Sequence, residues 1–566
     1  MKPRNDARMN AKKAGEAPVT AAARFIVMAI LAVAAAFPAT AQNRRAVIDL
    51  ESSVYRMMDA LYLESGKALP SQARPWTEAE ALTILARLDS ETLSDAGKAA
   101  YRAIQDELDA SRLYESGGFS FNASVRATPE AYLRFPLSKD PGAAEENYVW
   151  NHGYDERAPI LDIPLEFRFG DSVFLFAGAT LKEERATVDS AWRTDGSFAD
   201  GVLGNYSNVL FDDPNPRLDI HFPFRAFMSA GGEHWNLQFG RDKLSWGNGN
   251  SGNLVLSAYP DFYDFISLTF LSDRFKMTNV YASFDPFLAD AANTRLAMQA
   301  FVGHRLEARI GERFLVALNE SLMLGDDTLE GDPVRDMNFM MVFHNWLLTE
   351  RANSLLSLEF QANPWRYITL YGQAAMDEFT TSYEAAGDGG GGPPIFGFLA
   401  GAEGAYPLGP GHLSGSLECA ITSPWLYNRK AFPYYYDVRR YWSLTTDEYE
   451  YVAKPIGYRY GPDALVFSLK SGYDVPNGLS CALDLLLVLK GEKDLGSTWA
   501  PAPGDAAPSG TVETSFVIHA GAEYPILSWL SAGGDLYFDF TRNRDHVEGA
   551  YRNDFEIALR MSAKWR

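Results

Sequence analysis

The chain has 566 residues, 51 Lys and Arg against 73 Asp and Glu, and 13% aromatic residues whose distribution is even beyond residue 118. A net charge of −22 argues against nucleic-acid binding. Beyond the N-terminus no stretch approaches the roughly 18 unbroken apolar residues of a spanning helix.

In chain order, Lys12, Lys13 and Arg24 precede the apolar run 25–37, and Ala39, Thr40 and Ala41 follow it. This pattern predicts a secretory signal peptide over 1–41, cleaved before Gln42. Its removal takes away six basic and two acidic residues, leaving 45 against 71 and a net charge of −26.

A helical unit is expected over 42–117. Val47, Leu50, Val54, Met57, Met58 and Leu61 recur mostly at spacings of three and four, and further helical runs cover 78–88 and 94–108. Pro75 before Trp76 and Thr77 places a helix start near Thr77. The stretch 61–85 resembles a short surface-layer-homology type of helical module, which implies a cell-wall or periplasmic contact, with peptidoglycan as a candidate partner. A packing or plug role is the other expectation for this unit.

From Gly118 to the end, 118–566, eighteen strand candidates alternate apolar and polar residues. They start near 119, 159, 172 and 217, then continue to one near 551. The last is the clearest: Phe555, Ile557, Leu559, Met561, Ala563 and Trp565 share one face, while Glu556, Arg560, Ser562 and Lys564 share the other. The connections are by turns short and long. Short ones fall at 170–171, 230–232, 272–274, 311–312, 363–364, 406–411, 474–477 and 525–528, most of them rich in turn residues. Long ones include 183–215, 325–353, 423–462 and 491–510. A sandwich has no reason to gather its short turns at one end, whereas an outer-membrane barrel has short periplasmic turns and long surface loops. The fold class is therefore mainly β: a transmembrane antiparallel barrel of about eighteen strands behind a small periplasmic helical unit. Its partners would be outer-membrane lipid and the barrel assembly machinery of a diderm bacterium.

Parity assigns faces. Arg305, Glu307 and Arg309 point inward with Glu359, Gln361, Asn363, Asp535 and Asp539, giving a polar lumen of mixed charge. Arg305, Glu307, Arg309 and Glu359 fit either a selectivity constriction or an internal ion-pair network. Arg241 has outward parity, so either its strand has ended or Gly240 forms a bulge that turns it inward. Trp235, Trp365, Tyr406, Tyr524, Trp529 and Trp565 fall near strand ends, as interfacial girdles require. Cys419 and Cys481 share parity with apolar neighbours on separate strands and read as lipid-facing hydrophobes.

The most specific stretch is FGRDKLSWGNGNSGNLVLS at 239–257. Gly240, Arg241, Trp246, Gly247, Gly249, Leu254, Leu256 and Ser257 resemble the signature of the capsule-assembly Wzi family of outer-membrane proteins. His304, Arg305, Leu306, Arg309, Ile310 and Gly311 fit the same resemblance, as do Leu358, Glu359, Leu370, Tyr371, Gly372, Gln373, Asp377 and Glu378. The chain departs from the family in ending on Trp565 and Arg566 instead of Phe. The resemblance implies an eighteen-stranded barrel with a periplasmic helical bundle, acting as a surface lectin that helps retain capsular polysaccharide.

Sugar recognition uses aromatic faces and planar hydrogen-bonding groups. Trp246, Arg241 and Asn248 in the signature, and Trp425, Tyr435, Tyr436, Tyr441 and Trp442 in the loop 423–462, are the candidates. That loop could equally fold into the barrel mouth on its own aromatics. Asp212, Asp213, Asp326, Asp327, Glu330 and Asp332 have oxygens for Ca²⁺ but lack the ordered spacing of a dedicated site, so no metal and no cofactor is expected. No His-x-x-x-His, nucleophile elbow or phosphate loop is present, and the chain reads as no enzyme. Two functions compete: binding of surface polysaccharide through the long loops, and diffusion of small solutes through a polar lumen.

Overall fold

The computed structural model describes residues 43–109, 112–139, 150–182, 207–209, 219, 223–285, 287–288, 296–297, 299–325, 352–378, 395–428, 434–443, 449–502 and 504–565. The expected signal peptide and the acidic runs at 212–213 and 326–332 lie outside them.

Three helices come first: α1 (Ser53–Ser65), α2 (Glu78–Leu85) and α3 (Asp95–Leu108). Each starts on a hydroxyl cap, with Ser52 accepting from Val54, Thr77 from Glu80 and Ser94 from Gly97. The first helix begins later than the periodicity suggests, because Ser52 caps it and Val47 instead forms a bridge with Thr77. Met58, Leu61, Trp76, Ile84, Leu85, Ala100 and Ile104 pack into the unit's own core.

The barrel begins with β1, a long strand in three pieces: Phe119–Ala123, Val125–Ala127 and Glu130–Lys139. Then follow β2 (Leu161–Phe169), β3 (Val173–Leu181), β4 (Ala226–Gly231), β5 (Trp235–Asp242), β6 (Tyr263–Leu271) and β7 (Phe275–Ser283). Next are β8 (Gln299–Ile310), β9 (Phe314–Gly325), β10 (Ala352–Trp365), β11 (Ile368–Glu378), β12 (Ile395–Leu408) and β13 (Gly411–Thr422). The last five are β14 (Ala464–Asp474), β15 (Ser480–Lys490), β16 (Glu513–Leu527), β17 (Leu530–Arg542) and β18 (Tyr551–Trp565).

Every neighbour is antiparallel, and β18 returns to β1 through pairs from Arg552↔Lys139 to Trp565↔Val125, closing the barrel. Closure removes the unpaired edges that hydrocarbon cannot solvate. One edge needs help: β2 pairs with β1 only as far as Leu161↔Ala127. There Ser207 bridges Ala131, and the Asn208 side chain accepts from Glu130 N (2.8 Å) and donates to Thr128 O (2.7 Å) and Ala158 O (3.0 Å).

The eighteen strands match the sequence reading, with local corrections. The fourth starts at Ala226 rather than near 217. The turn expected at 363–364 lies at Arg366 and Tyr367, because a register shift between Ala362 and Trp365 lets Pro364 stay within the strand. A similar shift between Pro525 and Leu527 carries β16 past its expected end.

The outer face carries Leu306, Ile310, Phe314, Leu358, Phe360, Leu417, Phe467 and Leu483, all exposed in the isolated chain as lipid-facing side chains must be. Trp235, Trp365, Tyr406, Tyr524, Trp529 and Trp565 are exposed at the end of the barrel that carries the short turns. Cys419 and Cys481 are both free, on β13 and β15 with β14 between them.

Candidate functional site: a filled half-lumen and its rim

The signature motif builds the inside of the barrel. Gly240 has φ +132°, and a Cβ there would lie 2.4 Å from Ala226 O, so β4 and β5 approach too closely for a side chain. The ladders on both sides keep their register through it, so there is no bulge. Arg241 therefore keeps its outward parity and forms a bidentate pair with Asp264 (2.7 and 2.8 Å), its guanidinium 3.8 Å above the Phe262 ring.

After β5 the chain turns into the lumen. Trp246, 1% exposed, pairs backbone to backbone with Ala73 of the helical unit and donates its N–H to Leu256 O (2.9 Å). Glu418 of β13 holds the glycine-rich stretch by accepting from Asn250 N (2.7 Å), Ser251 N (2.8 Å) and the Tyr371 hydroxyl (2.8 Å). A Cβ on Gly249 would lie 1.9 Å from Gly252 O, which restricts that position to glycine. Gln373 of β11 accepts from Leu254 N (2.9 Å) and donates to Asn253 (2.7 Å).

The described residues of the loop 423–462 fold onto this plug. Tyr427 donates to Leu254 O (2.7 Å), Tyr436 donates to Ser321 (2.6 Å), and Ser257 N donates to Ile456 O (2.8 Å). Trp246, Leu254, Leu256, Trp425, Tyr427, Tyr436 and Tyr458 share one apolar core with side chains from β6 to β15.

From the short-turn end, the segment between α1 and α2 meets the plug. Ser71 and Gln72 N donate to Glu307 (2.7 and 2.8 Å), and the Gln72 side chain donates to Gln361 (2.9 Å). Lys276 binds Ser71 (3.1 Å) and Ala73 O (3.0 Å) and pairs with Glu80. Glu64 bonds His412 (3.1 Å) at the start of β13. Of the two expectations for the helical unit, packing against the lumen contents is the one these contacts show.

The sequence candidates fall out as follows. Trp246, Trp425 and Tyr436 present no ring face to the outside, so their aromatic character serves packing. Asn248 and Tyr435 are half-buried, and Tyr435 O accepts from Gln299 (2.9 Å). Tyr441 and Trp442 lie in the hairpin formed by Asp437–Ser443 and Tyr449–Pro455, with side chains outside the described residues. Arg305 is buried and bidentate on Glu359 (2.7 and 3.0 Å), with a further bond to Glu307 (3.0 Å), so these three form a network of ion pairs, to which the neutral Asn319 adds a hydrogen bond (2.9 Å). Arg309 stands half-buried apart from that network, one residue before the end of β8.

Polar and aromatic groups that the sequence reading passed over gather at the long-loop end. Lys454 binds Asp155 (2.8 Å) and Asp261 (3.1 Å) with its ammonium 4.9 Å from the Tyr259 ring. Arg459, 45% exposed at its side chain, lies 4.0 Å from Glu156 and over both Tyr259 (5.2 Å) and Tyr460 (5.5 Å). Burial and the adjacent Asp155 push the Glu156 carboxyl above its ordinary range, against the pull of Arg459. Tyr259 follows the signature by two residues and Arg459 lies in the long loop, but only folding brings them together.

No family model and no curated protein matches the chain. Among solved structures it is similar to Wzi, an outer membrane protein involved in group 1 capsule assembly in Escherichia coli and described as a carbohydrate-binding β-barrel. The two are 12% identical over 91% of this chain and 98% of that one, with a TM-score of 0.57. This chain and Wzi share a fold. OccAB1 of Acinetobacter baumannii is 11% identical over 79% of this chain and 97% of its own, with a TM-score of 0.38. The outer membrane channel DcaP of the same organism is 10% identical over 80% of this chain and 100% of its own, with a TM-score of 0.34. The motif that carries the Wzi-family resemblance in the sequence is thus the one that folds the plug.

Proposed function

We propose that the protein is an outer-membrane barrel that binds a surface polysaccharide at its long-loop end, with the helical unit in the periplasm and the long loops outside. The observation that carries this is the rim of Tyr259, Arg459, Tyr460 and Glu156. Aromatic rings lie beside a planar, exposed guanidinium and a carboxylate, the groups that stack on pyranose faces and bond paired hydroxyls. The Wzi fold, described in that protein as a carbohydrate-binding barrel, supports the reading.

The plug gives the rim its rigidity. Trp425, Tyr427, Tyr436 and Tyr458 anchor the long loop, and the signature loop under them is tied to the wall at Glu418 and Gln373. Trp246, Asn248, Tyr435, Tyr436 and Trp425 act here from beneath the binding surface.

The test is binding of purified surface polysaccharide to the full chain in detergent, compared with Tyr460→Ala and Arg459→Ala. Loss of binding in both, with the barrel still folded, is the expected result. Undiminished binding in both overturns the assignment of the rim.

A further inference from the structure

We propose that a hydrated passage for small polar solutes runs along one wall of the barrel, beside the plug. The described residues fill the lumen unevenly. Every wall residue in the apolar core of the plug comes from β6 to β15, and none of the described residues of β1–β5 or β16–β18 joins it. Along that other wall lies a cavity of about 1330 Å³.

This cavity reaches both ends of the barrel. It is lined at the short-turn end by Ser528 and Trp529, between β16 and β17, and at the long-loop end by Glu156, Tyr259 and Arg459. Between them it is walled by inward side chains of β1 to β3 and β18, among them Asn122, Arg126, Asp162, Thr180, Arg560 and Ser562. Acidic and basic residues line it in near-equal number. Such a lining holds water and ions of either sign, so the solutes it suits are small, hydrated and weakly selected by charge. The route differs from diffusion through a whole polar lumen, because the plug confines it to one side. Its long-loop mouth shares Glu156, Tyr259 and Arg459 with the glycan rim, while its walls below the mouth belong to the barrel alone, so the conductance is read without polysaccharide.

The experiment is conductance of the full chain in planar bilayers without polysaccharide. The expected result is steady single-channel current with a small reversal potential under a salt gradient. Ser124→Trp and Ser562→Trp, which place bulk in the passage, should each lower the conductance at least about twofold. Should either fail to fold, Ser124→Cys in the folded barrel is modified with a bulky water-soluble thiol reagent, and the same fall is expected on modification. The native Cys419 and Cys481 share the outward parity of their strands and are replaced by Ala for this arm. Current no greater than that of the bare bilayer overturns the passage, as does current unaltered by bulk at both positions.

Discussion

Replacing Trp246 by Ala separates a structural role from a ligand-binding one. The indole is buried in the plug, against Gly303 of β8, where a built Cβ would stand 2.8 Å from the ring. Deleting a fully buried Trp costs about 3–5 kcal/mol in a packed core. The loss falls on the plug rather than the wall, whose ladders do not involve this side chain. In native-state hydrogen exchange the amides of Trp246, Leu254 and Ser257, bonded to Leu256, Gln373 and Ile456, should lose protection. At about 1.4 kcal/mol per decade the loss amounts to roughly two to four orders of magnitude. Strand amides of β16 to β18 should be unchanged. Unchanged exchange at 246–257 together with abolished polysaccharide binding would refute the reasoning and return Trp246 to the ligand.

Glu418→Ala removes the acceptor of two backbone amides and the Tyr371 hydroxyl. It should open 249–253 to protease in the folded barrel, a loss of about 2–4 kcal/mol for buried donors left unpaired. Arg305→Ala leaves Glu307 and Glu359 facing each other without their shared cation. The cost should be about 3–5 kcal/mol in urea unfolding, and Glu359→Gln in the same chain should recover part of it. Acid should loosen the helical unit. Burial alone would raise the Glu64 carboxyl, but hydrogen bonds from His412 and Ser94 more than offset it and hold it below its ordinary value of 4.5. Its contribution is therefore present above that value and fades as pH falls through the lower folded one. Exchange in α1 should rise at acid pH in the wild type, and Glu64→Gln should flatten that dependence.

The barrel wall was legible because a strand half in lipid must alternate, and Phe555 to Trp565 do so with Ala558 as the one apolar residue on the polar face. The turns were misplaced where proline suggested a stop, since bulges at Pro364 and Pro525 keep the strand going without the missing N–H. The last two helices were readable from their periodicity and the start near Thr77, whereas the first was placed too early because Val47 has helical spacing yet forms a bridge with Thr77. What sits in the lumen was not readable, because an aromatic loop that folds inward has the same composition as one that binds outward. Trp246 and Tyr436 belong to the first kind, and Tyr259 and Tyr460 face the rim only through contacts between segments about 200 residues apart in the chain. Glu418, alone in a strand of ordinary alternation, gave no local sign that it would hold the glycine-rich loop.

The central claim is that the plug shapes a rim and the rim holds the glycan. Titrating purified surface polysaccharide against the wild type, Arg459→Ala and Trp246→Ala tests it most directly. The account predicts a fall in affinity of about tenfold or more, about 1.4 kcal/mol, for Arg459→Ala. Folded Trp246→Ala should bind with its rim loosened but its contacts present, and so lose less. The opposite order, with Arg459→Ala binding as the wild type and Trp246→Ala not at all, would contradict it.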